Sequence, residues 1–220
     1  MLGLTRHLLW IPATAIVGFA VPFVFADLLM LPVDLYYLVY FAATAAFASY
    51  YAVRTRLDVP ASVRRRLIRG IVLGIVVGLI LAQGVLAQPE TPRLSGMTLL
   101  WTLFWRGLVY GLIDGLLLFS LPWVITWRSF DAERHGIGRK IATAFVAWIA
   151  VLVVTTAYHL GYRDFRSSKI LQPNFGSTIG SVATLGAANP IASPIAHVFL
   201  HVTAVMHSPR TDLFLPPHRP

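Results

Sequence analysis

His197 and His201 stand four residues apart in PIASPIAHVFLHVTAVMH, a stretch from Pro190 to His207 with no Lys, Arg, Asp or Glu. On a helix that spacing puts both imidazoles on one face, one turn apart. Two such rings suit a shared metal ion, or a pair that steers one water or stabilises one oxyanion. The other ionisable residues within apolar stretches are His159 in TTAYHLGY, Arg106 and Asp114 in FWRGLVYGLIDG, and Asp27. An ionisable group in such surroundings is costly, and is a functional candidate until a partner explains it. Asp27 is expected in solvent at the outer end of its segment. His207 is expected at the interface, about 80° off the face of His197. Arg106 and Asp114, eight residues apart, are separated by about 12 Å along a helix, so each needs a partner elsewhere. The candidate catalytic groups are therefore His159, His197, His201 and Arg106, and the candidate metal ligands His159, His197, His201 and Asp114. The competing structural reading has neutral histidines hydrogen-bonded to backbone or to Tyr158, with Arg106 and Asp114 in a buried polar clamp.

The elements that must hold these residues are apolar helices. The chain has 220 residues, 57% hydrophobic and 12% charged, and a mean hydropathy of +0.71. That balance is too apolar for a soluble domain of this length. Seven hydrophobic segments follow one another at roughly 8–26, 35–53, 71–87, 97–127, 141–162, 175–188 and 191–207. Most approach the roughly 20 residues that span a bilayer as helix. The expected fold is all-α, a polytopic transmembrane bundle of about six to eight segments forming one integral membrane domain over 1–220. Within it, 1–96 supplies N-terminal helices, 97–207 the core and 208–220 a short tail. A β-barrel is excluded because its strands would alternate polar and apolar residues. The fourth segment is too long for one straight helix, and Pro122 is expected to end or kink it. The sixth, short and rich in Gly, Ser and Thr, reads as a span or as a re-entrant segment. Small residues at Gly70, Gly74 and Gly78, and again at Gly176 and Gly180, lie on single helix faces where a neighbouring helix can approach closely.

Charge orients the bundle. The 54–69 loop carries Arg54, Arg56, Arg64, Arg65, Arg66 and Arg69, which places it in the cytoplasm with the N-terminus. Alternation then puts 128–140 inside as well, and the ends of the fifth and seventh segments outside. The group Arg163, Arg166 and Lys169 fits that scheme poorly. The net charge of +9 sits mainly beside apolar spans, where arginines set topology and contact anionic lipid rather than nucleic acid. Absence of cysteine excludes disulfides, a thiolate nucleophile and Cys-ligated metal in the monomer. Val24-Phe25-Ala26 could pass for a signal-peptidase site, but the first segment reads as a retained span. A plasma or inner membrane is the expected location.

Three short motifs within 97–205, about half the chain, resemble those of the CPBP family, the CAAX proteases and bacteriocin-processing enzymes also called Abi intramembrane proteases. That family carries Glu-Glu-x-x-x-Arg followed by Gly, then Phe-x-x-x-His, then His-x-x-x-Asn. Here WTLFWRG keeps Arg106 and Gly107, TTAYH keeps His159, and HVFLH keeps His197 with His201 in the Asn position. The approach GSVATLGAANPIASPIAHVFLHVTAV looks like the family's small-residue helix, turn and His-bearing final helix. The resemblance implies a membrane-embedded peptidase in which glutamates and the second-motif histidine activate water and the third-motif residues stabilise the oxyanion. Trp101 and Thr102 occupy the glutamate positions, however, and Thr155 that of the Phe; the only glutamates, Glu90 and Glu133, fall in loops. A base of the family type is therefore missing, and Asp114 lies about 18 Å along a straight helix from Thr102.

The resemblance leaves a protease-like protein that is degenerate or uses altered chemistry at its histidines, with a divalent metal, a histidine base or both, acting on a membrane peptide. Two other readings stand beside it. One is a non-enzymatic subunit binding haem or metal through His159 with His197 or His201. The other is a structural or transport scaffold with a partner subunit.

Overall fold

The computed structural model describes residues 7–210 and 214–216. Among them there is no strand. Eight helices follow in order: α1 Trp10–Leu28, α2 Val33–Thr55, α3 Val59–Arg64, α4 Leu67–Leu86, α5 Gly96–Ser129, α6 Ile137–Leu160, α7 Leu171–Ala187 and α8 Ala192–His207. Four of them, α1, α4, α5 and α6, are long and apolar enough to cross a membrane, and the chain is a membrane protein on that ground. The burial pattern agrees. On α4 the large residues Val72, Val76, Leu79 and Ile80 face outward while Gly70, Gly74 and Gly78 are buried, the arrangement expected where lipid solvates the outside and close backbone approach drives packing.

Two glycine rows clamp α8. A Cβ added at Gly70, Gly74 or Gly78 of α4 would lie 2.9 Å from Asn189 Cγ, 2.6 Å from the Ala192 carbonyl oxygen or 2.8 Å from Phe199 Cβ. From the other side, α5 presents Gly107, Gly111 and Gly115, whose added Cβ atoms would meet Val202 Cγ2 at 3.0 Å, Val198 Cα at 2.9 Å and Pro194 Cα at 2.5 Å. The two rows hold α8 close on both flanks and leave the third face, with His197 and His201, turned toward the interior. Gly180 of α7 also packs, against Phe119 and the His197 ring, but Gly176 meets nothing within 4 Å and is not a packing glycine.

α5 runs unbroken for 34 residues. Pro122 neither ends nor sharply breaks it, because a π-helical turn at Leu116–Ser120 precedes it and puts Pro122 in the first turn of the α-helical stretch Leu121–Ser129, where its missing N–H costs no helical hydrogen bond. A second π-helical stretch covers Leu103–Val109. The regular turn between them, Tyr110–Gly115, carries Tyr110 and Asp114. The sixth segment is a 17-residue helix, α7, packed on α4, α6 and α8.

The connections gather at two ends. At one, Arg65 and Arg66 pair with Glu133 at 3.2 and 2.8 Å, and Arg128 donates to Thr55 Oγ1 and O at 2.7 Å. There too Asn189, fully buried, donates to the carbonyls of Val63 and Arg65. At the other end His207 Nε2 bonds the Gln88 carbonyl at 2.8 Å, and Asp27 bridges Arg163 at 3.4 Å and Arg166 at 3.1 Å. Asp27 is thus not solvated as its position suggested: its side chain is 8% exposed, buried by the very arginines that fitted the charge scheme poorly.

Candidate metal centre

Asp114 of α5 and His197 and His201 of α8 meet in the interior, all buried. One carboxylate oxygen and one nitrogen from each ring lie within 4.8 Å of one another, the one such group of three among the described residues. Asp114 Oδ2 is 3.5 Å from His197 Nε2 and 3.7 Å from His201 Nε2. Those separations exceed the usual hydrogen-bond range of about 2.7–3.2 Å, and they are near the roughly 3.3 Å edge of a tetrahedron whose ligands stand about 2.0–2.1 Å from a Zn²⁺-like ion. His201 makes no hydrogen bond through either ring nitrogen, and His197 none through Nδ1. Unpaired buried polar atoms are rare and call for a partner.

Aromatic packing and one hydroxyl orient the three groups. Tyr40 donates to Asp114 Oδ1 at 2.9 Å, which leaves Oδ2 for the histidines. Tyr110 stands edge-on to His201 at 4.7 Å between centroids, and Phe119 tilts against His197 at 4.6 Å. Around them lies a set of buried tyrosines. The hydroxyls of Tyr110 and Tyr158 are 2.6 Å apart and those of Tyr158 and Tyr162 2.8 Å, and Tyr162 also bonds Tyr36.

The cluster forms the floor of a cavity of about 270 Å³. Its walls include Tyr158, His159, Phe165, Ser177 and Leu200, and the less buried Gln88, Gln172 and Phe214 line it toward its mouth, at the end of the bundle where Asp27 and His207 lie. His159 shares this cavity but is not one of the three clustered groups. Its Nδ1 is 2.8 Å from the Thr155 carbonyl oxygen. Since a carbonyl can only accept, Nδ1 carries the proton and Nε2 the lone pair. Arg106 stands apart, 3.3 Å from Asp34 in the first turn of α2, and does not line the cavity. Of the expected catalytic set, then, the fold brings His159, His197 and His201 to one cavity and leaves Arg106 out, because Asp34 holds its guanidinium toward α2. Trp101 is exposed and Thr102 Oγ1 is spent on the Thr98 carbonyl.

The tyrosine set and Tyr40 do not stand out in the sequence, although the spacing Tyr36–Tyr40 puts that pair on one helix face. Nor does the row Gly107, Gly111, Gly115. Among known proteins no family model matches this chain, and neither does any curated protein or solved structure.

Proposed function

We propose that this chain is a membrane-embedded peptidase-like hydrolase working with one divalent metal ion held by Asp114, His197 and His201, in which Asp114 takes the place of the paired glutamates of CPBP enzymes. The supporting observation is the convergence of one carboxylate and two hydrogen-bond-deficient imidazoles, at separations suited to shared ligation, on the floor of an accessible cavity. Three protein ligands leave a position open, as catalytic sites do. When bound, such an ion polarises the carbonyl under attack and acidifies water. His159 is the general base on this reading, since its Nε2 carries a lone pair in the same cavity. It takes the proton of the attacking water as the water oxygen joins the carbonyl carbon, then returns it to the amine as the C–N bond breaks. Tyr40 fixes the carboxylate, and the linked tyrosine hydroxyls, which use three of their four protons on one another, keep one to donate to the oxyanion. The arginine-rich end then faces the cytoplasm and anionic lipid.

Metal analysis of the purified protein, with a quenched-fluorescence peptide in the same micelles, tests this. One equivalent of Zn²⁺ or a similar ion is expected, lost in Asp114→Asn, His197→Gln and His201→Gln. His159→Gln should keep the metal and lose cleavage. Substoichiometric metal in the wild type, or binding unchanged by all three ligand substitutions, would overturn the proposal.

A further inference from the structure

The cavity has a side as well as a mouth. Toward the arginine-rich end, α4 and α7 are packed: Leu73 Cδ1 lies 3.4 Å from the Cβ position of Gly186, and Val77 and Leu81 share a buried cluster with Ala183 and Ala187. Toward the other end the same two helices part. Gly84 on α4 and Gly176 on α7 both line the cavity, yet a Cβ at either would meet nothing within 4 Å. Flanking them are Ile80 and Phe175, cavity-lining residues that are also 52% and 71% exposed. A residue that faces a cavity and the outside of an apolar bundle at once marks an opening in the wall. Here the opening is framed by apolar side chains and widened by two absent ones.

We infer that this gap between α4 and α7 is a lateral portal through which an uncharged, apolar segment of a membrane-embedded polypeptide reaches the cavity directly from the bilayer. Two features select that occupant. No Lys or Arg among the described residues lines the cavity, so an anionic lipid headgroup finds no basic side chain to pair with along its walls. The walls also carry more hydrogen-bonding groups than an acyl chain could use: Gln88, Gln172 and Ser177, with Tyr158, Tyr162 and His159 deeper in. An extended peptide needs such partners, because each backbone group unpaired in a dry interior costs several kcal/mol. The inference draws on the proposed hydrolase for what happens at the floor, but the route of entry stands on the helix geometry alone.

The test is photo-crosslinking in phosphatidylcholine vesicles with a Leu- and Ala-rich transmembrane peptide bearing a benzophenone at its centre. Adducts are expected on α4 and α7. Gly84→Phe and Gly176→Phe should each remove most of the adduct, while Gly138→Phe on α6, whose Cβ position is equally open, should leave it intact. Because the chain lacks cysteine, Gly84→Cys and Gly176→Cys alkylated after folding repeat the block without asking a bulky variant to fold. Undiminished adduct in the blocked forms overturns the portal. Displacement of the peptide by a photoreactive palmitate, itself captured at the same residues, overturns the polypeptide occupant. Asp114→Asn separates the two proposals: it should abolish metal binding and keep the adduct.

Discussion

Gly115→Ala puts the clamp on α8 and the metal site into one measurement. The added methyl would lie 2.5 Å from Pro194 Cα and 2.9 Å from Pro194 N, both backbone atoms that cannot rotate away, whereas ordinary contact begins at 3.4 Å. Relief therefore requires α8 to retreat by about 0.9 Å, the difference of those two distances. Overpacking of this kind costs about 1–3 kcal/mol, against the 0.5–1 kcal/mol that Gly→Ala gains in an unstrained helix interior. The net expectation is a loss of up to about 2.5 kcal/mol. The retreat also acts on the site, since Pro194 precedes His197 by less than a turn and Asp114 adjoins Gly115. It carries the His197–Asp114 separation from 3.5 Å past what a common ligand sphere of about 2 Å radius allows without strain. Gly84→Ala is the matched comparison, because its methyl enters open space, and it should stabilise by about 0.5–1 kcal/mol. Detergent-solubilised protein unfolded by heat or denaturant gives the stabilities, and Zn²⁺ titration gives the site. Gly115→Ala matching Gly84→Ala in stability, with undiminished metal affinity, would refute both the close approach of α8 and its link to the cluster.

Two further predictions concern the ends of the bundle. Burial pushes the Glu133 carboxyl up, but hydrogen bonds from Trp127 and Arg66 and the charges of Arg66 and Arg65 outweigh it and hold the group below its ordinary 4.5. A carboxyl whose folded pKa is depressed adds stability above its unfolded pKa and loses it as pH falls through the folded one. Acidification below about pH 4.5 should therefore lower the unfolding midpoint of the wild type more steeply than that of Glu133→Gln; parallel pH profiles would remove this latch from the account. Asp27→Asn should cost about 1–2 kcal/mol, since it breaks a buried carboxylate's two ion pairs while leaving arginines that can still reach water. Limited proteolysis of the 163–170 connection should accelerate in that variant, and an unchanged cleavage rate would show that Asp27 does not hold it.

How much of this was readable in the sequence follows from the range of each interaction. Hydrophobic length and small-residue spacing are local, so the all-α bundle and the Gly70, Gly74, Gly78 face emerge from the chain itself. So does the shared face of His197 and His201, set by their spacing of four. The partner of a charged group is not local. Arg106 meets Asp34 across 72 residues and Asp27 meets Arg163 and Arg166 from a distant helix, and no periodicity reports such pairs. That Pro122 does not end α5 has a different reason. A proline breaks an α-helix by withholding one hydrogen bond, and a π turn just before it removes the need for that bond.

Asp114 turns on helix register. α5 and α8 run antiparallel, with Gly107 opposite Val202, Gly111 opposite Val198 and Gly115 opposite Pro194. Carried along both helices, that register sets Thr102 level with His207, at the mouth end, while Asp114 falls within a turn of His197. A glutamate at 102 would therefore lie level with the end of α8 and one at 101 would point outward, as Trp101 does, so neither would reach the imidazole pair. Between Thr102 and Asp114 lie the π-helical stretch Leu103–Val109 and the turn that follows it, so the site lies deeper in the bundle than the motif positions. A carboxylate within a turn of two buried histidines is the arrangement that lets all three groups share one ion. In this chain only residue 114 of α5 supplies it.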